Sequence, residues 1–215
     1  IITSYLADMA KYTENTESIK NTKIYNSIPK QLGKENKKFK YSLVEKSARS
    51  REYETSLNWL ISSNMVIKCD GVHNPRSPLK ANVEDCFKIY VNDTGLFVAM
   101  LEKGTVNNIL NGDLKVYKGA IFENIIADAF IKLEKKLYYY NKNSSLEIDF
   151  VTRYNNEASV VEVKSTNGNS KSLKQILDNS KYDIHTAFKL IDGNIGYNNK
   201  IFTIPLYMAF LINED

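Results

Sequence analysis

Cysteine is scarce in this chain of 215 residues, with only Cys69 and Cys86. Two thiols cannot form a disulfide framework, and their number points to a reducing, cytoplasmic setting. Histidine is as rare, and neither His73 nor His185 has a second histidine or a cysteine at metal-ligand spacing, so no zinc site is expected. No apolar run reaches the roughly 18 residues of a membrane span, and the longest, Ile204 to Ile212, falls well short. The N-terminus has no basic region followed by an apolar one, so it does not read as a secretory leader. Charge of one sign is not concentrated either. Lys and Arg number 29 against 25 Asp and Glu, a net of +4, which permits a nucleic-acid partner without requiring one. The chain opens on Ile1 and not on methionine, so a longer parent protein is expected.

What is present suffices for a core. Hydrophobic residues make up 43%, with 14 tyrosines and nine phenylalanines, and a chain of this size buries about 70% of its unfolded surface. Residues 3–12 read as a helix, 13–22 as a polar connector, and 23–33 as a second helix with Ile24, Ile28 and Leu32 at helical spacing, kinked or delayed by Pro29 and stopped at Gly33. Phe39, Tyr41 and Leu43 alternate as in a short strand. Residues 49–63 predict a helix buried through Tyr53, Leu57, Leu60 and Ile61, and 65–68 a strand. Helix, short strand, helix and strand in about 50 residues is the order of a winged helix-turn-helix module. Residues 86–91 read as a strand, with Asn92 or Asp93 capping a helix to Leu101. The polar segment 102–114 marks a domain boundary.

The second half is expected to run helix (117–134), three strands (137–141, 146–154 and 158–165), helix (171–179), and then apolar segments at 186–191 and 201–204. Its chemistry lies in the hairpin of strands 146–154 and 158–165. Asn155-Asn156 suits a two-residue turn because asparagine tolerates positive φ. That register sets Asp149 opposite Glu162 and Glu147 opposite Lys164. Two facing carboxylates repel unless a cation or a shared proton relieves them, and a small hard oxygen site suits Mg²⁺ or Mn²⁺. Lys164, two residues after Glu162, is placed to orient an attacking water. Glu123, on the flank of the first helix's apolar stripe, is placed to point at the sheet. A strand that alternates acids and bases is also the ordinary look of a solvated face. The frame of elements around it favours the site.

The spacing E-x₂₃-E-x-D-x₁₂-E-x-K, in the order αβββαβ, resembles the PD-(D/E)xK, or restriction-endonuclease-like, superfamily. The resemblance implies that Asp149 and Glu162 are metal ligands, that Lys164 assists the water, and that Glu123 holds the helix position; the usual proline before the aspartate is missing here. The stretches IYNSIPKQL, FKYSLVEKSARSREYETSLNWL, FKIYVNDTGLF, KGAIFEN, EIDFV, VVEVKS, KSLKQIL and IPLY are similar to the C-terminal half of a family of prokaryotic AAA+-type ATPases, a half of unknown function. That likeness implies an upstream ATPase module, the part that would take ATP. This chain holds no G-x₄-G-K-[ST] phosphate loop.

The expected fold is therefore α/β (α+β). A helical connector occupies 1–22, a winged-helix-like domain 23–112, and a nuclease-like αβββαβ domain 113–215. Lys37, Lys38, Lys40, Arg49 and Arg51, in the densest basic stretch, are the expected DNA contacts. Ser172, Lys174 and Gln175 lie where a helix would border the active site. The expected function is that of a divalent-metal-dependent deoxyribonuclease with a DNA-binding winged helix. The alternative is a nuclease-like domain that binds DNA or protein without cutting, or assembles the ATPase. Partners are DNA and the ATPase module, with no membrane, and oligomerisation is left open.

Overall fold

In the computed structural model the described residues are 1–113, 117–143, 146–165 and 168–213. The chain divides into two compact units that interleave along the sequence, Ile1–Lys68 with Lys88–Asn124 and Cys69–Phe87 with Ile125–Asp215. Among the described residues no helix is long and apolar enough to cross a membrane.

The first unit is mainly helical, with α1 (Ile2–Tyr12), α2 (Asn15–Leu32), α3 (Tyr41–Val44), α4 (Ser50–Ser62), α5 (Thr94–Ala99) and α6 (Thr105–Leu110). The expected connector at 13–22 is largely the first half of α2. Its buried face continues the Ile24–Ile28–Leu32 stripe backwards through Asn21 and Ser18, two small polar residues that periodicity of apolar residues does not register. Glu17 ties that half down, accepting hydrogen bonds from Lys20 Nζ at 2.8 Å and from Ser56 Oγ of α4 at 2.6 Å. The helix runs through Pro29, which removes one donor, and closes where Gly33 N–H donates to Pro29 O at 2.9 Å. The short strand expected around Tyr41 is the single helical turn α3. Lys40 N–H is taken by the Gln31 side-chain oxygen at 2.7 Å and not by a neighbouring strand. α4 matches its expectation and buries Tyr53, Leu57 and Leu60. Asp93, not Asn92, caps α5 by accepting Leu96 N–H at 2.9 Å, and that helix ends at Ala99.

The second unit is built on an eight-stranded sheet in the order β2-β1-β3-β4-β5-β6-β8-β7. Its strands are β1 (Val66–Val72), β2 (Val83–Val91), β3 (Tyr138–Asn143), β4 (Leu146–Tyr154), β5 (Glu157–Lys164), β6 (Ala187–Ile191), β7 (Gly196–Asn198) and β8 (Ile201–Pro205). Strands β1 and β2 and helix α7 (Lys118–Lys132) each pass from one unit into the other. Beyond α7 the order is β3, β4, β5, helix α8 (Lys171–Leu177) and β6, the sequence of elements expected for this half. β3–β4 and β4–β5 are antiparallel, whereas β1–β3, β5–β6 and β6–β8 are parallel. Gly71 on β1 has room for no Cβ, which would meet Cys86 Sγ at 2.5 Å. One sheet face packs on α8 through Ile148, Val151, Val160, Leu173 and Ile176. Tyr138, Tyr139 and Tyr140 are all buried and belong to the core.

The β4–β5 hairpin has the expected register, from Tyr154↔Glu157 to Phe150↔Val161. Asn155 and Asn156 have φ of 49° and 64°, which is the twist that a two-residue turn between right-twisted strands needs. Asn155→Ala should therefore cost about 1 kcal/mol, whereas Asn156→Gly should leave stability unchanged or raise it. Urea denaturation of the two variants checks this.

Candidate active site

β4 does not keep strict alternation. Tyr138 pairs with Val151 and Tyr140 with Ile148, so β4 carries one more residue than β3 over that step. The extra residue makes a bulge at Asp149–Phe150, and Ile148 and Val151 both join the same core cluster. Strict alternation along a strand would put Ile148 and Val151 on opposite faces. A pleat period of two cannot foresee a bulge, because the insertion is defined only by the partner strand. Phe150 turns instead to α7, where its ring meets Phe130 edge-on at 5.9 Å.

At this bulge the hairpin opens. The next bonded pair in the register would be Ile148 with Val163, but Val163 N–H donates to the Asp149 carboxylate (Oδ2) at 2.8 Å. Asp149 is thereby anchored on the β5 backbone between Glu162 and Lys164. Glu162 and Lys164 share a face, with Lys164 Nζ 2.9 Å from Glu162 Oε1. Glu162 is only 4% exposed, and its other oxygen, Oε2, is buried without a hydrogen-bond partner among the described residues. Leaving a carboxylate oxygen so placed is costly. Beside it on β6, in register with Glu162, lies the buried Lys189, whose ammonium donates to Gly168 O. Burial pushes the Lys189 pKa down, and the Glu162 charge opposes that shift. Three of the four expected catalytic residues, Asp149, Glu162 and Lys164, thus gather where β4 and β5 separate. Among the described residues no group of three His, Cys, Asp or Glu side chains is placed to hold a metal ion.

Glu123, the fourth, belongs to the first unit. It is 3% exposed, and both its oxygens are engaged there. Oε1 pairs with Lys37; Oε2 accepts the Tyr90 hydroxyl at 3.0 Å and lies 3.8 Å from Lys88 Nζ. Burial pushes this carboxyl up, but the Lys88 and Lys37 ammoniums and the Tyr90 hydroxyl outweigh it and hold the pKa below its ordinary value. Next to it Asn124 clamps the end of β2, accepting Val91 N–H and donating to Val91 O, both at 2.9 Å. Of the basic stretch, Lys37 is occupied by Glu123, Lys38 is half-buried, and Lys40, Arg49 and Arg51 are exposed. Arg49 N–H donates to Glu52 at 3.2 Å, which secures the start of α4 despite the cations there.

Sequence reasoning passed over Lys88 and Lys189. The signal was present. FKIY and FKLI each set one lysine inside an apolar strand run, where a cation persists only beside a buried acid.

Two family models divide the chain between them. Residues 1–107 match a domain of unknown function (DUF8612), and residues 118–208 match another (DUF4143). Comparison with curated proteins and with solved structures finds no match. The chain is thus similar to two families of unknown function, and neither description names a nuclease or an ATPase.

Proposed function

We propose that the DUF4143-like half is a divalent-metal-dependent phosphodiester hydrolase acting on DNA, with a PD-(D/E)xK-type site formed by Asp149, Glu162 and Lys164. The observation that carries it is the buried Glu162 carboxylate. One oxygen meets Lys164, and the other is orphaned at the point where Asp149 breaks the hairpin ladder. Two carboxylates offer hard oxygens of the kind Mg²⁺ or Mn²⁺ takes, and Mg²⁺ completes its shell with water and substrate phosphate. Asp149 and Glu162 would hold the ion. When bound, it would neutralise charge on the scissile phosphate. Lys164 Nζ, fixed by Glu162 Oε1, donates a hydrogen bond to the attacking water and stabilises the hydroxide that forms. The motif's helix position falls to Glu123, whose two oxygens are engaged within the first unit by Lys37, Tyr90 and Lys88. In the DUF8612-like half we assign α2, α4 and β1 to a winged-helix-like DNA-binding module of a larger, AAA+-type ATP-binding protein. Exposed Lys40, Arg49 and Arg51, with half-buried Lys38, would face phosphates. Arg51→Glu and Lys38→Glu should each weaken DNA binding and lower its salt slope by about 1.

A second reading, a nuclease-like module that binds without cutting, draws on the lack of a three-ligand cluster among the described residues. A thermal melt separates the two. Millimolar Mn²⁺ binds only the folded state, so it should raise the wild-type midpoint by several degrees. Asp149→Asn should abolish the rise. No rise in the wild type, with calorimetry also silent, excludes the metal site and leaves the binding module.

A further inference from the structure

The buried Lys189 on β6 has a second cation beside it. Val160 on β5 and Ala187 on β6 lie in the cluster that packs on α8. Glu162 and Lys189 follow two residues later along an unbroken register, so they share the side of the sheet that faces α8. Lys189 Nζ donates to Gly168 O, two residues ahead of Ser170, the cap residue of α8. Lys174 stands one turn beyond Ser170, whose carbonyl accepts Lys174 N–H at 3.1 Å. It is exposed, on the flank of the buried face formed by Leu173 and Ile176. Side chains on a helix lean toward its N-terminus, which carries Lys174 back toward Gly168 and Lys189. Two observations agree with that direction. Asp178 lies one turn further on, at a spacing that suits an ion pair, yet among the described residues Lys174 and Asp178 do not pair. Burial lowers the Lys189 pKa, Glu162 opposes that shift, and the Lys164 and Lys174 ammoniums lower it further, so the Lys174 charge reaches Lys189. Both lysines border one cleft of about 420 Å³, together with Gly168, Ser170 and the hairpin residues Asn198 and Asn199.

Two ammoniums brought together repel each other whatever else Lys189 touches, and an anion held beside both relieves the repulsion. A lysine on its flexible stem is a point-charge contact for phosphate. We propose that Lys174 contacts a backbone phosphate of the nucleic-acid strand, next to the phosphate held at Asp149 and Glu162, and so sets the path of the strand along α8. The place of that strand rests on the hydrolase reading above; the contact itself requires only that DNA binds this face of the unit.

The test is fluorescence anisotropy of labelled duplex and single-stranded DNA with the full chain, in EDTA and over a range of salt, for wild type, Lys174→Gln and Lys174→Arg. Lys174 is exposed, so neither substitution should disturb folding. Lys174→Gln should weaken binding roughly three- to tenfold at low salt and lower the salt slope by about 1, alike for unrelated sequences. Lys174→Arg keeps the charge and should stay within about twofold of the wild type. In cleavage with Mg²⁺, Lys174→Gln should raise KM by the same factor and leave kcat unchanged. Weakened binding in Lys174→Gln, from a wild type that cuts no DNA, supports the contact and removes the hydrolase. Equal affinity and salt slope in wild type and Lys174→Gln, or no DNA binding by the wild type, overturns the proposal.

Discussion

Glu123→Gln should destabilise the first unit by about 3–5 kcal/mol, because it removes a buried acid from beside a buried base. Lys88 is 1% exposed with its ammonium 3.8 Å from Glu123 Oε2, and Lys37 meets the opposite oxygen. Glutamine can still accept the Tyr90 hydroxyl, but it cannot balance two ammoniums. The single tryptophan, Trp59, lies in α4 of the same unit, so its fluorescence in a urea titration reads the loss directly. Replacing the pair together, Glu123→Leu with Lys88→Met, should recover most of the stability, since apolar side chains of similar volume often match or exceed a buried ion pair. The pH dependence follows from the depressed Glu123 pKa. A lowered folded-state pKa contributes stability that is complete above the unfolded value of 4.5 and is lost as pH falls through the folded value. The gap between wild type and Glu123→Gln should therefore be constant near neutrality and shrink in acid. A gap under about 1 kcal/mol at pH 7 would reduce the cluster to a weak surface-like pair.

Lys164→Ala carries the largest expected effect on activity, a fall in DNA cleavage of about 10²–10⁴-fold, the range that a positioned proton-handling group supplies. The side chain is 38% exposed, so the substitution should leave the fold intact. It also removes a positive charge 2.9 Å from Glu162 Oε1, so Mn²⁺ should bind no more weakly and the Mn²⁺-dependent rise in the melting midpoint should persist. A variant that keeps the cation and loses the rate identifies the lysine with the chemical step. A variant that keeps the rate removes it from the mechanism.

The hairpin was the most legible part of the chain in the sequence. Alternating residues on both strands and two asparagines able to take positive φ define a single register, and the structure has it from Tyr154↔Glu157 to Phe150↔Val161, but the expected pairs of Asp149 with Glu162 and Glu147 with Lys164 lie beyond the point where the ladder stops. The bulge at Asp149 was not legible, because it arises from the pairing of β4 with β3 and not from β4 itself. Polar residues carry the other misses. Ser18 and Asn21 extend the buried face of α2, and Gln31 satisfies a backbone donor ahead of α3, all without an apolar signature. Glu123 was legible as a helix residue near the apolar stripe. Its partners were not, since Lys37 and Tyr90 lie 86 and 33 residues away in sequence.

Incubation of supercoiled plasmid and of single-stranded DNA with the wild-type chain, in the presence of Mg²⁺ or Mn²⁺ and with Lys164→Ala and EDTA as controls, tests the central claim most directly. Cation-dependent cleavage of at least one substrate, lost with EDTA and in Lys164→Ala, is the predicted result. Intact DNA with both ions, from a wild-type chain that gel shift shows to bind DNA, would contradict hydrolysis at Asp149, Glu162 and Lys164.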